Sequence, residues 1–318
     1  MTEPPTEPID VIVAATHAHE GLAASLDRFV AEAGPLGRVV VASPDEAPSA
    51  TPHPSVRWVR SRQCRLAPEL WRDGLLTSEA PLVAFSTSQM TPSAGWLSAL
   101  LATLRESGAA GVGGPIEPAL GLSATDRAVA LLRYSAYFPP LPDLGRGSPP
   151  GENALYRRDR LLEVESSWAD GFWEVEVQRA LVARGHGLAM GRSAVVAFGG
   201  GTGLASMARQ RFAHARRYGR SRSSGLGLGR RLLRAASAPL VPPLLFARIA
   251  RALQARGMAA RPWLPALPAL AALASAWAVG EASGALEGSY RRVSDVATSK
   301  DRGASPVARA WPRARVQS

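Results

Sequence analysis

Two short runs of β-branched apolar residues, separated by one helix-length stretch, constrain this chain more than anything else in it. Ile9 to Ala15 (IDVIVAA) reads as a buried strand. From Glu20 to Ala33 the apolar residues Leu22, Leu26, Phe29 and Val30 recur at helical spacing, and Gly34-Pro35 ends the run. Arg38 to Ala42 (RVVVA) is a second buried strand. Strand, helix and strand over so short a length make a βαβ unit, which implies a parallel sheet.

The alternation continues. Val56–Val59 reads as a strand, Ala67–Ser78 as a helix and Pro81–Ser86 (PLVAFS) as a central strand. A helix follows over Gly95–Glu106, with Trp96, Leu97, Leu100, Leu101 and Leu104 inward. Gly111–Ile116 (GVGGPI) is a strand with close backbone approach at its glycines. Leu141–Gly151 is Pro/Gly-rich and reads as a mobile loop. Asn153–Arg157 is a strand, Phe172–Arg184 an amphipathic helix and Val195–Phe198 a last strand. Beyond this the composition changes: Arg209–Arg234 is dense in arginine, and Trp263–Val279 carries no charge. The expected division is an α/β domain over 1–205, a basic and apolar helical region over 206–290, and a disordered basic tail over 291–318.

Composition narrows the function classes. With 318 residues and 46% hydrophobic content, a sizeable core is available. The net charge of +11 favours acidic partners, namely nucleotide phosphates, nucleic acid or anionic lipid. Lys300 is the sole lysine, so arginine use reflects a general bias and not arginine-specific recognition. Cys64, the one cysteine, forms no internal disulfide and belongs to no zinc-ligand cluster. Met1–Pro8 lacks the charged and apolar regions of a secretory signal, so the bulk of the chain is expected in the cytoplasm. No G-x-G-x-x-G follows the first strand, which disfavours a dinucleotide-dependent oxidoreductase. No nucleic-acid-binding motif accompanies the basic charge, so a nucleic-acid partner is not expected.

Three stretches carry a family resemblance: VIVAATHAHEGLAASLDRF, LVAFSTSQMTPSAGWLSALLATL, and GENALYRRDRLLEV with GFWEVEVQRALVARGHGL. Together with QRFAHARRYGRSR, PLVPPLLFARIARAL and AWAVGEASGALEG near the far end, they resemble a family 2 glycosyltransferase of the bacterial membrane-associated type. The resemblance implies a GT-A fold: an α/β, Rossmann-like, mostly parallel sheet for a nucleotide-diphospho-sugar, with a C-terminal apolar helical appendage. It implies transfer of a sugar, with inversion, from a nucleotide-sugar donor to an acceptor hydroxyl on a lipid-linked or cell-envelope glycan, at the cytoplasmic side of the membrane.

The same resemblance distributes roles. Glu174 stands where the family carries its general base, with Glu176 as the second candidate. Thr16 and His17 follow the first strand, where the nucleotide would sit. Asp45 is the one acid near the end of the second strand that fits the donor, and Gly114 allows backbone approach. The family's Asp-x-Asp metal motif is replaced by Ser86-Thr87-Ser88, and hydroxyls are poor ligands for Mn or Mg beside carboxylates, so a divalent metal is left open. Asn153, Arg157, His214 and Arg217 are candidates for acceptor or diphosphate contacts, the last two as replacements for the metal's charge. Each has a plainer reading: an acidic first helical turn for Glu174, a turn asparagine, solvated arginines, and a basic segment lying on anionic lipid. Trp263–Val279 falls just short of the roughly 20 apolar residues of a spanning helix. With Leu240–Leu253 it fits an in-plane or re-entrant pair. A catalytically silent relative that binds nucleotide or scaffolds a glycan-assembly complex is the alternative function, favoured by the missing acidic motif.

Overall fold

The computed structural model describes residues 7–16, 22–34, 37–47, 53–61, 66–141 and 147–287. The chain divides into two compact units. One is formed by Met1–Pro115 and Pro142–Val196, the other by Ile116–Leu141 and Ala197–Arg291.

In the first unit, β1 (Ile9–Ala14), β2 (Gly37–Ser43), β3 (Val56–Arg60) and β4 (Leu82–Thr87) lie parallel, with α1 (Leu22–Ala33) and α2 (Ala67–Leu75) as crossovers. β1 and β4 are buried at every residue, as expected of parallel strands covered on both faces. After the short β5 (Met90–Pro92) and α3 (Trp96–Ser107), β6 (Gly111–Gly113) returns to the large sheet. The second unit's β7 (Ile116–Pro118) and α4 (Ala124–Tyr134) follow in the chain. The large sheet is then completed by β8 (Ala154–Arg157) and, after α5 (Arg158–Glu163) and α6 (Glu174–Ala183), by β9 (Leu188–Met190). The seven-stranded order is β3-β2-β1-β4-β8-β6-β9. β8 runs antiparallel to both neighbours, whereas β6 and β9 are parallel. The α/β class, the mostly parallel sheet and the apolar C-terminal helices all agree with the sequence reading.

An aromatic cluster holds the centre of this unit together. Phe85 of β4 stacks on Phe172 at 4.3 Å and meets Tyr156 and Trp71 edge-on at 5.9 and 6.2 Å. All four are essentially inaccessible to solvent. Each buried aromatic contributes about 2–3 kcal/mol of transfer free energy. The cluster therefore fixes α2, β8 and the start of α6 relative to β4. The loop before β8 is no mobile segment in its described part: Pro149 and Pro150 are buried, and Gln178 donates to the Pro149 carbonyl at 2.7 Å. Residues 142–146 of that loop lie outside the described residues.

The second unit is mainly helical: α4, α7 (Leu204–Ser223), α8 (Leu228–Ala236), α9 (Val241–Ala255) and α10 (Leu267–Glu287), with β7 and β10 (Val196–Phe198) beside them. The boundary expected at 205/206 differs from this division. α4 buries Ala128, Val129, Leu131 and Leu132, and the turn before it is tied to α10's approach by Arg127, which donates to the Pro262 carbonyl at 2.9 Å. Residues 116–141 thus belong with the C-terminal helices. The tail over 291–318 lies outside the described residues.

α7 and α10 touch backbone to backbone. A Cβ on Gly284 would stand 1.9 Å from the Arg216 carbonyl oxygen, and one on Gly280 2.4 Å from that of Phe212. Two stretches, Leu228–Ala255 and Arg261–Glu287, are long and apolar enough to cross a membrane by length and composition.

Candidate functional site

In an open α/β sheet, ligands bind outside the carboxyl ends of the strands where the strand order reverses. Here the reversal lies between β1 and β4: β2 and β3 extend one way from β1, and β4 begins the other half. The strand ends are level, because Ala14 is paired with Thr87 and the Ser88 N–H donates to the Ala14 carbonyl at 3.1 Å. Thr16 continues from β1 at this edge and is half-buried, while His17 lies outside the described residues. Asp45 is exposed just past β2. Its amide N–H donates to the Ser43 hydroxyl oxygen at 3.2 Å, its carbonyl accepts the Trp58 indole N–H at 3.1 Å, and the residue is exposed to water.

The hydroxyl triplet at the end of β4 is mostly committed to the protein. Ser86 is fully buried; its hydroxyl donates to the Glu152 carbonyl at 2.9 Å, and its carbonyl accepts the Trp71 indole N–H at 2.6 Å. Ser88 is buried as well. Thr87 differs, because its Oγ1 is buried and meets no hydrogen-bond partner among the described residues. No three His, Cys, Asp or Glu side chains converge among the described residues. A hydroxyl set with Ser86 already spent is a poor match for a hard divalent cation, which prefers carboxylate oxygens. The residues here do not fit the metal that the family resemblance left open.

Glu174 opens α6, half-buried, where the helix dipole favours the ionised carboxylate. Its carboxyl carbon lies 3.6 Å from the point where a Cβ on Gly151 would stand. The same point is 2.7 Å from the Trp71 ring, so residue 151 has no room for a side chain. Gly151 directly precedes Glu152, whose carbonyl holds Ser86. A continuous line of contacts therefore runs from the end of β4, through the 151–152 backbone, to the Glu174 carboxylate. Glu176 is two residues on, and positions i and i+2 of a helix do not share a face, so the two acids do not act as a pair. The residue that does share the face of Glu174 is Gln178, one turn on. Its amide donates to the Pro149 carbonyl at 2.7 Å and to the Tyr156 hydroxyl at 3.0 Å, fastening the 149–151 loop to α6. Neither Gln178 nor Trp71 stood out in the sequence; the i, i+4 spacing from Glu174 was the available signal for Gln178.

Several predicted ligands turn out to have structural work. Asn153 is fully buried: its Oδ1 accepts the Trp96 indole N–H at 2.7 Å, and its Nδ2 donates to the carbonyls of Pro115 and Ala194 at 2.8 and 2.7 Å. Both amide hydrogens are donated and the side chain is closed off from solvent, so Asn153 clamps three remote segments and is out of reach of an acceptor sugar. Gly114 is buried against backbone, with a Cβ there falling 1.9 Å from the Ala194 carbonyl oxygen. It serves packing, not ligand approach. Arg157 pairs with Leu82, at the amino end of β4. That is the far end of a six-residue strand, roughly 16 Å from Thr87 at about 3.3 Å per residue. It cannot meet a diphosphate at the carboxyl edge.

His214 and Arg217 belong to α7 of the helical unit. The His214 ring lies 5.5 Å from that of Trp277. Burial, together with Arg211, Arg133 and Arg217, pushes its pKa down to about 3. His214 is therefore neutral at neutral pH and brings no positive charge to a leaving diphosphate.

No protein-family model matches the chain, and no curated protein matches its sequence. Among solved structures, the chain is similar to the mannosyltransferase PcManGT from Pyrobaculum calidifontis in complex with GDP-Man and Mn2+, at 16% identity and a TM-score of 0.46, over 97% of this chain and 80% of that one.

Proposed function

We propose that the α/β unit is a GT-A-type glycosyltransferase that takes a nucleotide-sugar at the carboxyl edge of β1 and β4 and uses Glu174 as its general base. The observation that carries this reading is the position of the Glu174 carboxylate beside Gly151, in contact continuity with the end of β4 at the reversal of strand order. A carboxylate there takes the proton of an acceptor hydroxyl as that oxygen attacks the anomeric carbon and the nucleoside diphosphate departs. Attack on the face opposite the leaving group inverts the anomeric centre. Thr87 Oγ1, buried without a partner among the described residues, supplies a hydroxyl that a bound donor satisfies. No step is assigned to a metal.

The C-terminal helices support residence on a membrane surface. Leu228, Leu232, Leu233, Leu240 and Leu244 are each more than half exposed, and Arg230 lies among them. Apolar side chains beside cations suit an in-plane seat at an anionic bilayer, which fits a lipid-linked or cell-envelope acceptor presented at the cytoplasmic face.

Thermal-shift titration of the purified full chain with UDP-, GDP- and TDP-sugars, each with and without Mn2+, tests the reading. Stabilisation by one nucleotide class, undiminished without Mn2+, with slow release of nucleoside diphosphate, is the expected result; no shift with any donor overturns it. The committed hydroxyl of Ser86 favours one other reading, a silent nucleotide-binding or scaffold protein, for which the outcome is a donor shift with no turnover over a broad acceptor panel.

A further inference from the structure

Among the described residues of the helical unit, one cation has a buried N–H that meets no acceptor. Arg211, on α7, stacks its guanidinium over the Trp277 ring of α10 at 4.3 Å. Its Nε–H is buried and meets no acceptor among the described residues. The charges that act on it are like charges, Arg133 of α4 and Arg248 of α9, with the Tyr134 hydroxyl alone opposing them. Burial and these neighbours pull its pKa down to about 9. The Arg133 guanidinium in turn lies over the Tyr134 ring at 5.2 Å. The acid on the facing turn of α10, Glu281, accepts the Trp277 indole N–H at 3.0 Å and is not among the groups acting on Arg211.

A guanidinium with an N–H withdrawn from water and unmet is destabilising unless an anion answers it. Arg211 is half-buried as a residue, while its Nε is closed off from solvent. Cations drawn from three helices suit a ligand of more than one negative charge, and arginine's planar fork matches phosphate oxygens in pairs.

We propose that Arg211, with the Trp277 ring as its floor and Arg133 and Arg248 around it, forms a phosphate- or diphosphate-binding site within the helical unit. His214, neutral and tilted against the same indole at 5.5 Å, packs beside the site and adds no charge. The phosphate group has two possible sources, a soluble nucleoside diphosphate or a phosphorylated polyprenol held in the membrane. The site stands whether or not the α/β unit transfers sugar, because every residue in it belongs to the helical unit.

The test is thermal-shift and calorimetric titration of the full chain with inorganic pyrophosphate, uridine diphosphate, and polyprenyl phosphate in dodecyl maltoside micelles, on the parent, Arg211→Gln and Arg184→Gln. Arg184 is an exposed arginine just past α6 and controls for diffuse charge. The expected result has two parts. Without ligand, Arg211→Gln melts no lower than the parent, since it removes a buried N–H that meets no acceptor among the described residues; with pyrophosphate it binds at least tenfold more weakly, while Arg184→Gln binds like the parent. Tighter binding of uridine diphosphate assigns the site to the soluble source and tighter binding of polyprenyl phosphate to the lipid; either supports it. Absence of binding by all three probes overturns the proposal, as does equal weakening by both substitutions. A large loss of ligand-free stability in Arg211→Gln also overturns it, because the side chain would then be held by the fold itself. Failure of the sugar-donor titration alone leaves these readouts intact, so the two readings fail separately.

Discussion

The two ends of the large sheet handle polar groups in opposite ways. At the amino end, Asp10 is buried in β1 and its carboxylate is fully answered: Arg38 donates two hydrogen bonds at 3.1 Å and the Ser78 hydroxyl one at 2.7 Å. Arg158, close by, feels Asp10 and Glu79 as counter-charges. At the carboxyl end, Thr87 Oγ1 is buried without a partner among the described residues, Asp45 is exposed to water, and Glu174 stands at a side-chain-free glycine. At the amino end the Asp10 carboxylate is closed off by its own chain, whereas at the carboxyl end the Thr87 hydroxyl meets no partner among the described residues. The lesson is that polar residue types do not mark a site; the state of their partners does.

Substitutions at each end break or sharpen that contrast. Glu174→Gln should have the largest effect, lowering nucleoside diphosphate release by about 10²–10⁴-fold while the melting temperature and donor affinity stay near those of the parent. Equal turnover by the variant would remove Glu174 from the chemistry. Asp10→Ala should do the reverse, costing about 2–3 kcal/mol of stability by chemical denaturation, because it takes the one acceptor from Arg38 and Ser78, with donor affinity unchanged. Ser86→Ala removes one buried hydrogen bond to Glu152 and should cost about 1 kcal/mol. Its response to Mn2+ in the donor titration should match the parent's, and a lost Mn2+ response would restore Ser86 as a ligand. Arg157→Ala, at the amino end, should leave donor binding within twofold; a tenfold loss would show that this end also meets ligand.

Much of the first unit was legible in advance, because its signals are local. The βαβ start, the central strand and the helix at Glu174 are each written in consecutive residues with the right period. The direction of β8 was not. A strand of four residues has the same pattern whichever way it runs, and only its pairing with β4 and β6 decides. That one direction moves Arg157 to the amino end and Asn153 to the carboxyl edge. Asn153 was illegible for a related reason: its three partners lie at residues 96, 115 and 194, and no local feature separates a turn asparagine from a core clamp. The affiliation of residues 116–141 was hidden likewise, since the apolar face of α4 does not announce which layer covers it. The charge state of His214 was a property of its surroundings, not of its place in an arginine-rich stretch.

The glycine contact between α7 and α10 has a consequence of its own. With Gly284 against the Arg216 carbonyl and Gly280 against that of Phe212, no rotatable group separates the two backbones. Arg211 and Trp277 are carried by those same helices, so the spacing of guanidinium and indole is set by main chain alone, as on a ruler with no sliding part. A methyl group added at either glycine would be felt within about two turns as a misaligned stack, which makes these small residues the calibration marks of the helical unit.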